Sequence, residues 1–166
     1  MAEARSPAGL GYRIAAVVFI LDQLAKLWII TGVRLQSMGD IPVLPFFSLT
    51  WVENRGVSMG MLSGTGDIGR WGLVALTGAI AVAVALWLRR ETNRTDVMAL
   101  GLVLGGAIGN ILDRIRFGYV VDFLHFFWGN AHFYVFNVAD AAITVGVILL
   151  LLRAALSRKP VQTESE

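Results

Sequence analysis

Three aspartates lie beside long apolar runs, where a carboxylate is costly. They are Asp113 in NILDR, Asp122 in VVDFLHFF and Asp140 in FNVADAAITVGVILLLL. Burying a carboxylate at a bilayer centre costs at least about 2.5 kcal/mol, and less near the surface. Each side chain therefore needs a reason. Asn110–Asp113 and Asn137–Asp140 repeat one pattern, an amide and a carboxylate three apart on one helix face. A helix cap accounts for Asn137, and a salt bridge to Arg114 accounts for Asp113. Neither accounts for Asp122, which has apolar neighbours on both sides and no turn that calls for it. Strand alternation puts it on one face with Leu124 and Phe126. An isolated carboxylate there has a raised pKa, a mark of functional sites.

Two carboxylates in close contact share one proton at neutral pH. The ionised member takes a proton from water, and the protonated member hydrogen-bonds a scissile carbonyl. That chemistry needs neither metal nor thiol, and the chain has no cysteine. Asp140 has two candidate partners, Asp113 and Asp122. Arg114 beside Asp113 weighs toward Asp122, because a neighbouring cation favours a permanently ionised structural carboxylate. Asp22 and Lys26 form a second polar pair, four apart on one face of an apolar run. An ion pair inside a helix bundle explains them. A proton relay, or a lysine base serving Ser48 or Ser58, are the functional alternatives.

The elements that must position these residues are membrane helices. The chain is 56% hydrophobic, with mean hydropathy +0.67 and 16% charged residues. A soluble domain carries about 25% charged residues. Apolar blocks at about 12–31, 68–88, 97–112 and 137–156 are each near the length that crosses a bilayer. The first is expected to be a retained helix, because Asp22 and Lys26 interrupt it and no small-residue cleavage site follows. The second and third are joined by Arg89, Arg90 and Arg94. Arg5 and Arg13 lie before and at the start of the first block, and Arg153, Arg158 and Lys159 lie at and beyond the end of the fourth. This majority of cations places both termini in the cytoplasm. The segments at about 32–67 and 113–136 then lie outside. IPVLPFFSLTWVENRG reads as short strands with a turn. Gly129–Asn130 can turn a hairpin in the aromatic segment. Gly101, Gly105 and Gly109 form a doubled G-xxx-G for close helix packing. The two histidines, His125 and His132, read as interfacial side chains rather than metal ligands. Nothing indicates nucleic-acid binding, a cofactor or a metal. The tail from residue 157 is polar and expected to be disordered.

Taken together, DQLAK (Asp22–Lys26), ENRG (Glu53–Gly56), GNILDR (Gly109–Arg114), VVDF (Val120–Phe123) and FNVADAA (Phe136–Ala142) resemble the lipoprotein signal peptidases, the type II signal peptidases of bacteria. The resemblance spans about residues 12–156. It implies an all-α membrane protein with four transmembrane helices, a small extracytoplasmic β-cradle and a short interfacial helix near Val57–Ser63. It implies an intramembrane aspartyl endopeptidase of the bacterial cytoplasmic (inner) membrane. Such an enzyme removes the signal peptide from diacylglyceryl-modified prolipoproteins, just before the lipidated cysteine. By motif, Asp122 and Asp140 would be the catalytic dyad. Asn54, Asn110, Arg114 and Asn137 would line the site, with Asp22, Lys26, Gly56 and Asp113 in support. Membrane lipids and globomycin-type inhibitors are the other expected partners. The family's Asn-x-Gly-x-x-Phe reads here with Met59 in place of Phe, which bears on lipid contact. A small transporter or proton-relay protein is the alternative, in which Asp22 rather than Asp122 would be essential.

Overall fold

The computed structural model describes residues 7–56 and 66–157. The expected interfacial helix near Val57–Ser63, with Met59 and Ser58, lies outside these residues, as does the tail from residue 158.

Four helices are long and apolar enough to cross a membrane, at Ala8–Val33, Asp67–Arg90, Arg94–Phe117 and Val138–Leu156. In hydrocarbon a helix satisfies its own backbone, so these apolar runs have little alternative. Helix α1 (Ala8–Leu27) continues as a π-helical turn, Trp28–Val33. Arg34, in the left-handed region at φ 55°, ends that turn and starts the short α2 (Leu35–Met38). After strands β1 (Ile41–Leu44) and β2 (Phe47–Asn54) come α3 (Gly66–Arg90) and α4 (Arg94–Phe117). Strands β3 (Val120–Trp128) and β4 (Ala131–His132) precede α5 (Val138–Ser157).

Helix α4 is the hub and packs against α1, α3 and α5. The doubled G-xxx-G has the packing role expected of it. A Cβ on Gly101 would lie 2.5 Å from the Gly11 carbonyl of α1, and one on Gly105 would lie 2.5 Å from the Ala15 carbonyl. A Cβ on Gly106 would strike the Ala139 carbonyl of α5. Two helices can therefore approach α4 backbone to backbone.

Helix α4 is longer at both ends than its apolar block. Asn93 caps its start, its side chain accepting from the Thr95 and Asp96 amides. Arg114 and Arg116 occupy its last turn, where cations suit the helix dipole, and Gly118 closes it in the left-handed conformation. Asn110 and Asp113 thus sit inside α4 rather than at its end.

The four strands form one antiparallel sheet in chain order, β1-β2-β3-β4. Pro45–Phe46 turns β1 into β2, and Gly129–Asn130 turns β3 into β4 as expected. Between the pairs Leu49↔Leu124 and Val52↔Asp122 the register shifts by one residue, with the extra residue on β2. This bulge lies next to Asp122; bulges twist a strand and re-aim its side chains. Past β4 the chain returns along β3. Phe136 donates to the Leu124 carbonyl at 3.0 Å and accepts from the Leu124 amide at 2.8 Å. That return delivers Asn137 and the start of α5 beside Asp122.

Candidate active site

Asp122 is on β3, 1% exposed, and Asp140 is half-buried in the first turn of α5. Each is held by asparagine amides. Asn54 Nδ2 donates to Asp122 Oδ2 at 2.9 Å, and Asn137 Nδ2 donates to Asp122 Oδ1 at 2.6 Å. Asn110 Nδ2 donates to Asp140 Oδ1 at 2.7 Å.

The surrounding bonds fix which way each amide points. Asn110 Oδ1 accepts from Lys26 Nζ at 3.2 Å and from Asn137 Nδ2 at 3.2 Å, so its NH2 must face Asp140. Asn137 Oδ1 accepts the Asp140 backbone N–H at 2.9 Å, so its NH2 must face Asp122. In return, the Asn137 N–H reaches Asp140 Oδ2 at 3.4 Å. Asn137 is therefore both the expected cap of α5 and a bridge between the two carboxylates. Two side chains from separate elements thus meet in one amide network.

Burial pushes the Asp122 carboxyl up to about 6, and the nearby charge of Asp140 pushes in the same direction. The Asn54 and Asn137 hydrogen bonds and the Lys26 charge oppose them without cancelling them.

Asp113 does not join this pair. Lys26 Nζ sits 2.7 Å from Asp113 Oδ2 and 2.8 Å from Asp22 Oδ2, with all three side chains buried. Asp113 Oδ2 also accepts the Val121 N–H at 3.2 Å, tying α4 to β3. Asp22 Oδ1 accepts the Ala139 N–H at 2.9 Å, tying α1 to α5. The salt bridge expected between Asp113 and Arg114 is replaced by one to Lys26. Consecutive helical residues point about 100° apart, so neighbours in sequence seldom face one partner. An ammonium gripped by two carboxylates is not a free base. Ser48 is engaged elsewhere, its Oγ 3.1 Å from Thr50 Oγ1 and 3.3 Å from His125 Nδ1.

Arg114 is half-buried and interacts electrostatically with Asp140, Asp122 and Asp113. Its Nη1 reaches the Asn110 carbonyl at 3.4 Å, and its Nε is buried without a hydrogen-bond partner among the described residues. Gly56 closes an Asx turn, its N–H donating to Asn54 Oδ1 at 2.9 Å. At φ 82° it needs to be glycine, and a Cβ would strike Leu73 at 2.6 Å. The turn fixes the Asn54 amide with its NH2 toward Asp122.

Two residues entered the network without a sequence signal. Gln23 Nε2 donates to Asp113 Oδ1 at 3.1 Å and to Asp22 Oδ2 at 3.2 Å. Arg70 donates from Nε to the Arg114 carbonyl at 2.7 Å and from Nη2 to the Ile115 carbonyl at 2.5 Å, capping the end of α4.

Asp122 opens onto a cavity of about 480 Å³ walled by Val52–Gly56 on one side and Phe133–Val135 on the other. One wall offers Asn54, Glu53 and Arg55, and the other offers the rings of Phe133 and Tyr134. The cavity can take an extended peptide with an apolar group attached. Among the described residues no group of three or more histidines, cysteines or carboxylates could hold a metal.

Comparison with known proteins agrees with this architecture. The family model for signal peptidase (SPase) II matches residues 14–156. A lipoprotein signal peptidase of Rhizorhabdus wittichii is 56% identical over 96% of this chain and 94% of its own. One from Sphingopyxis alaskensis is 53% identical, over 94% and 91%. A bacterial membrane enzyme solved by the in meso method at 2.3 Å superposes with a TM-score of 0.77 at 32% identity, over 95% of this chain and 94% of its own. With four membrane-capable helices around a buried polar network and a family match that runs nearly end to end, the chain is a multi-pass membrane peptidase belonging to the signal peptidase II family.

Proposed function

We propose that this chain removes signal peptides from diacylglyceryl-modified prolipoproteins, with Asp122 and Asp140 as the catalytic pair. The observation that carries the reading is the asparagine bridge. Asn137 reaches both carboxylates, donating to Asp122 from its side-chain amide and to Asp140 from its backbone N–H, and Asn110 fixes the second. The pair shares one proton. The ionised carboxylate takes a proton from a water held between them, and the water oxygen attacks the scissile carbonyl. The protonated carboxyl donates to the carbonyl oxygen as its charge develops. On collapse of the tetrahedral species the pair takes back a proton from its hydroxyl oxygen as the carbonyl re-forms and gives one to the leaving nitrogen, which returns the pair to its starting state.

Burial of Asp122 supports this assignment, because it holds a proton to higher pH than an exposed aspartate would. Arg114 and Asn54 orient the peptide and Asp122, while the Asp22–Lys26–Asp113 cluster fixes α1, α4, α5 and β3 around them. The diacylglycerol of the substrate sets the scissile bond at the membrane surface, beside the aromatic wall of the cavity. That anchoring lowers the entropic cost of alignment. The enzyme lies in the bacterial inner membrane with both termini cytoplasmic and the sheet outside. A globomycin-type cyclic peptide blocks the same cavity.

The test uses purified enzyme in lipid vesicles with one prolipoprotein in two forms, diacylglyceryl-modified and unmodified. Cleavage immediately before the modified cysteine, and only in the lipidated form, is the expected result. Equal cleavage of the unmodified form would overturn the substrate assignment.

A further inference from the structure

A second cluster of donor atoms lies on the sheet away from the aspartates. His125 is three residues beyond Asp122 on β3, an odd offset that places it on the opposite face. Its Nδ1 is 3.2 Å from Thr50 Oγ1 and 3.3 Å from Ser48 Oγ, both on β2. Two hydroxyls crowd this one ring nitrogen. Donation from Nδ1–H to either of them leaves the Nε2 lone pair free. That Nε2 faces the Nδ1 of His132, on β4, at 3.3 Å. The two rings lie 28° from parallel with centroids 5.3 Å apart.

A direct imidazole–imidazole hydrogen bond fits this distance. So does chelation. Two nitrogens about 2.0–2.1 Å from one zinc ion at the tetrahedral angle lie about 3.3–3.4 Å apart. His132 is exposed, so its ring can turn to aim the Nδ1 lone pair at the same point. The hydroxyls behind His125 play the part that outer partners play for metal-bound imidazoles, fixing tautomer and ring plane.

We propose that His125 and His132 chelate a single Zn2+-class transition-metal ion, with water completing its coordination. Among the described residues no third imidazole, thiol or carboxylate joins them, so the site is an open, exchangeable one. It spans the hairpin, because β4 is only two residues long and pairs with β3 through Phe127↔His132 and Trp128↔Ala131, with the Phe133 N–H donating to the Phe126 carbonyl at 2.9 Å just beyond. The ion therefore clamps β4 to β3. The chain leaving β4 is Phe133–Val135, the aromatic wall of the Asp122 cavity. A clamped β4 holds that wall in place.

The test is calorimetric titration of tag-free protein in detergent with Zn2+. One ion per chain is expected. His125→Gln and His132→Gln should each weaken binding at least tenfold. Ser48→Ala combined with Thr50→Val should weaken it about 10- to 100-fold with both imidazoles kept. Amide hydrogen exchange over residues 131–135 should slow on adding Zn2+ to the wild type and not to His132→Gln. Cu2+ should give an electron paramagnetic resonance spectrum with two nitrogen couplings that falls to one in either histidine variant. Absence of binding, binding unchanged by both histidine variants, or unchanged exchange would overturn the proposal. None of these readouts depends on peptidase activity.

Discussion

At the residue scale, the informative feature of Asp122 was its lack of any local excuse. Caps, turns and i,i+4 partners explain most polar residues near lipid, and they leave this one over. Asp140 was harder to read, because a carboxylate in a helix's first turn has an ordinary explanation. For its partner the local sequence gives only a weak indication, Arg114 beside Asp113, which weighs toward Asp122. Asp113 and Asp122 were both available, and the choice depends on Lys26, which reaches Asp113 from 87 positions away in sequence and holds it at 2.7 Å. Gln23 and Arg70 stayed hidden for the same reason, since their partners lie on distant elements.

The raised pKa of Asp122 gives a pH prediction. In the proposed mechanism the pair works with one proton aboard. In the free enzyme that proton is lost as pH rises through about 6, so kcat/KM should fall on that alkaline limb. A bound lipid substrate excludes water and disfavours a second negative charge, so the limb in kcat should lie at higher pH. Asn54 stabilises the ionised form of Asp122. Asn54→Ala should therefore move the kcat/KM limb upward while lowering the rate about tenfold or more. Steady-state profiles from pH 5 to 9 check both, and a limb that does not move in Asn54→Ala would contradict the electrostatic role given to this amide.

At the element scale, the four helices were legible because apolar runs of this length have few alternatives in a bilayer. Their ends were not, because hydropathy stops at the first charge whereas a helix stops at its cap. Asn93 and Gly118 carry α4 past its apolar block at both ends. The π-helical turn after α1 and the bulge on β2 gave no local signal. The glycines of α4 are contact points that the G-xxx-G spacing makes legible. Gly105→Ala would force a Cβ to 2.5 Å from the Ala15 carbonyl and should cost about 1–3 kcal/mol, seen as a lower thermal midpoint in detergent. The buried ion cluster allows a sharper contrast. Lys26→Met leaves two facing carboxylates unpaired and should destabilise the protein by about 3–5 kcal/mol. Adding Asp22→Asn and Asp113→Asn to Lys26→Met should restore most of that loss. If the single and triple variants melt together, the cluster does not act as an ion network.

At the scale of the whole molecule, one end of the bundle gathers everything polar that matters: the end of α1, the end of α4, the start of α5 and the sheet. The other end carries Arg89, Arg90 and Arg94, and an Arg153–Asp96 contact at 3.5 Å. Because the chain has no cysteine, single cysteines report sidedness without background. Asp40→Cys should react with an impermeant maleimide from outside intact cells, and Thr92→Cys only after permeabilisation. The reverse pattern would invert the proposed topology. The most direct measurement of all is signal-peptide release from a lipidated precursor by Asp122→Asn, Asp140→Asn and Asp113→Asn, each in membranes and each checked for folding. The first two should lose about 10³-fold in turnover while remaining folded, and the third should turn over at a comparable rate per folded molecule. Wild-type turnover by either Asp122→Asn or Asp140→Asn would contradict a shared-proton pair.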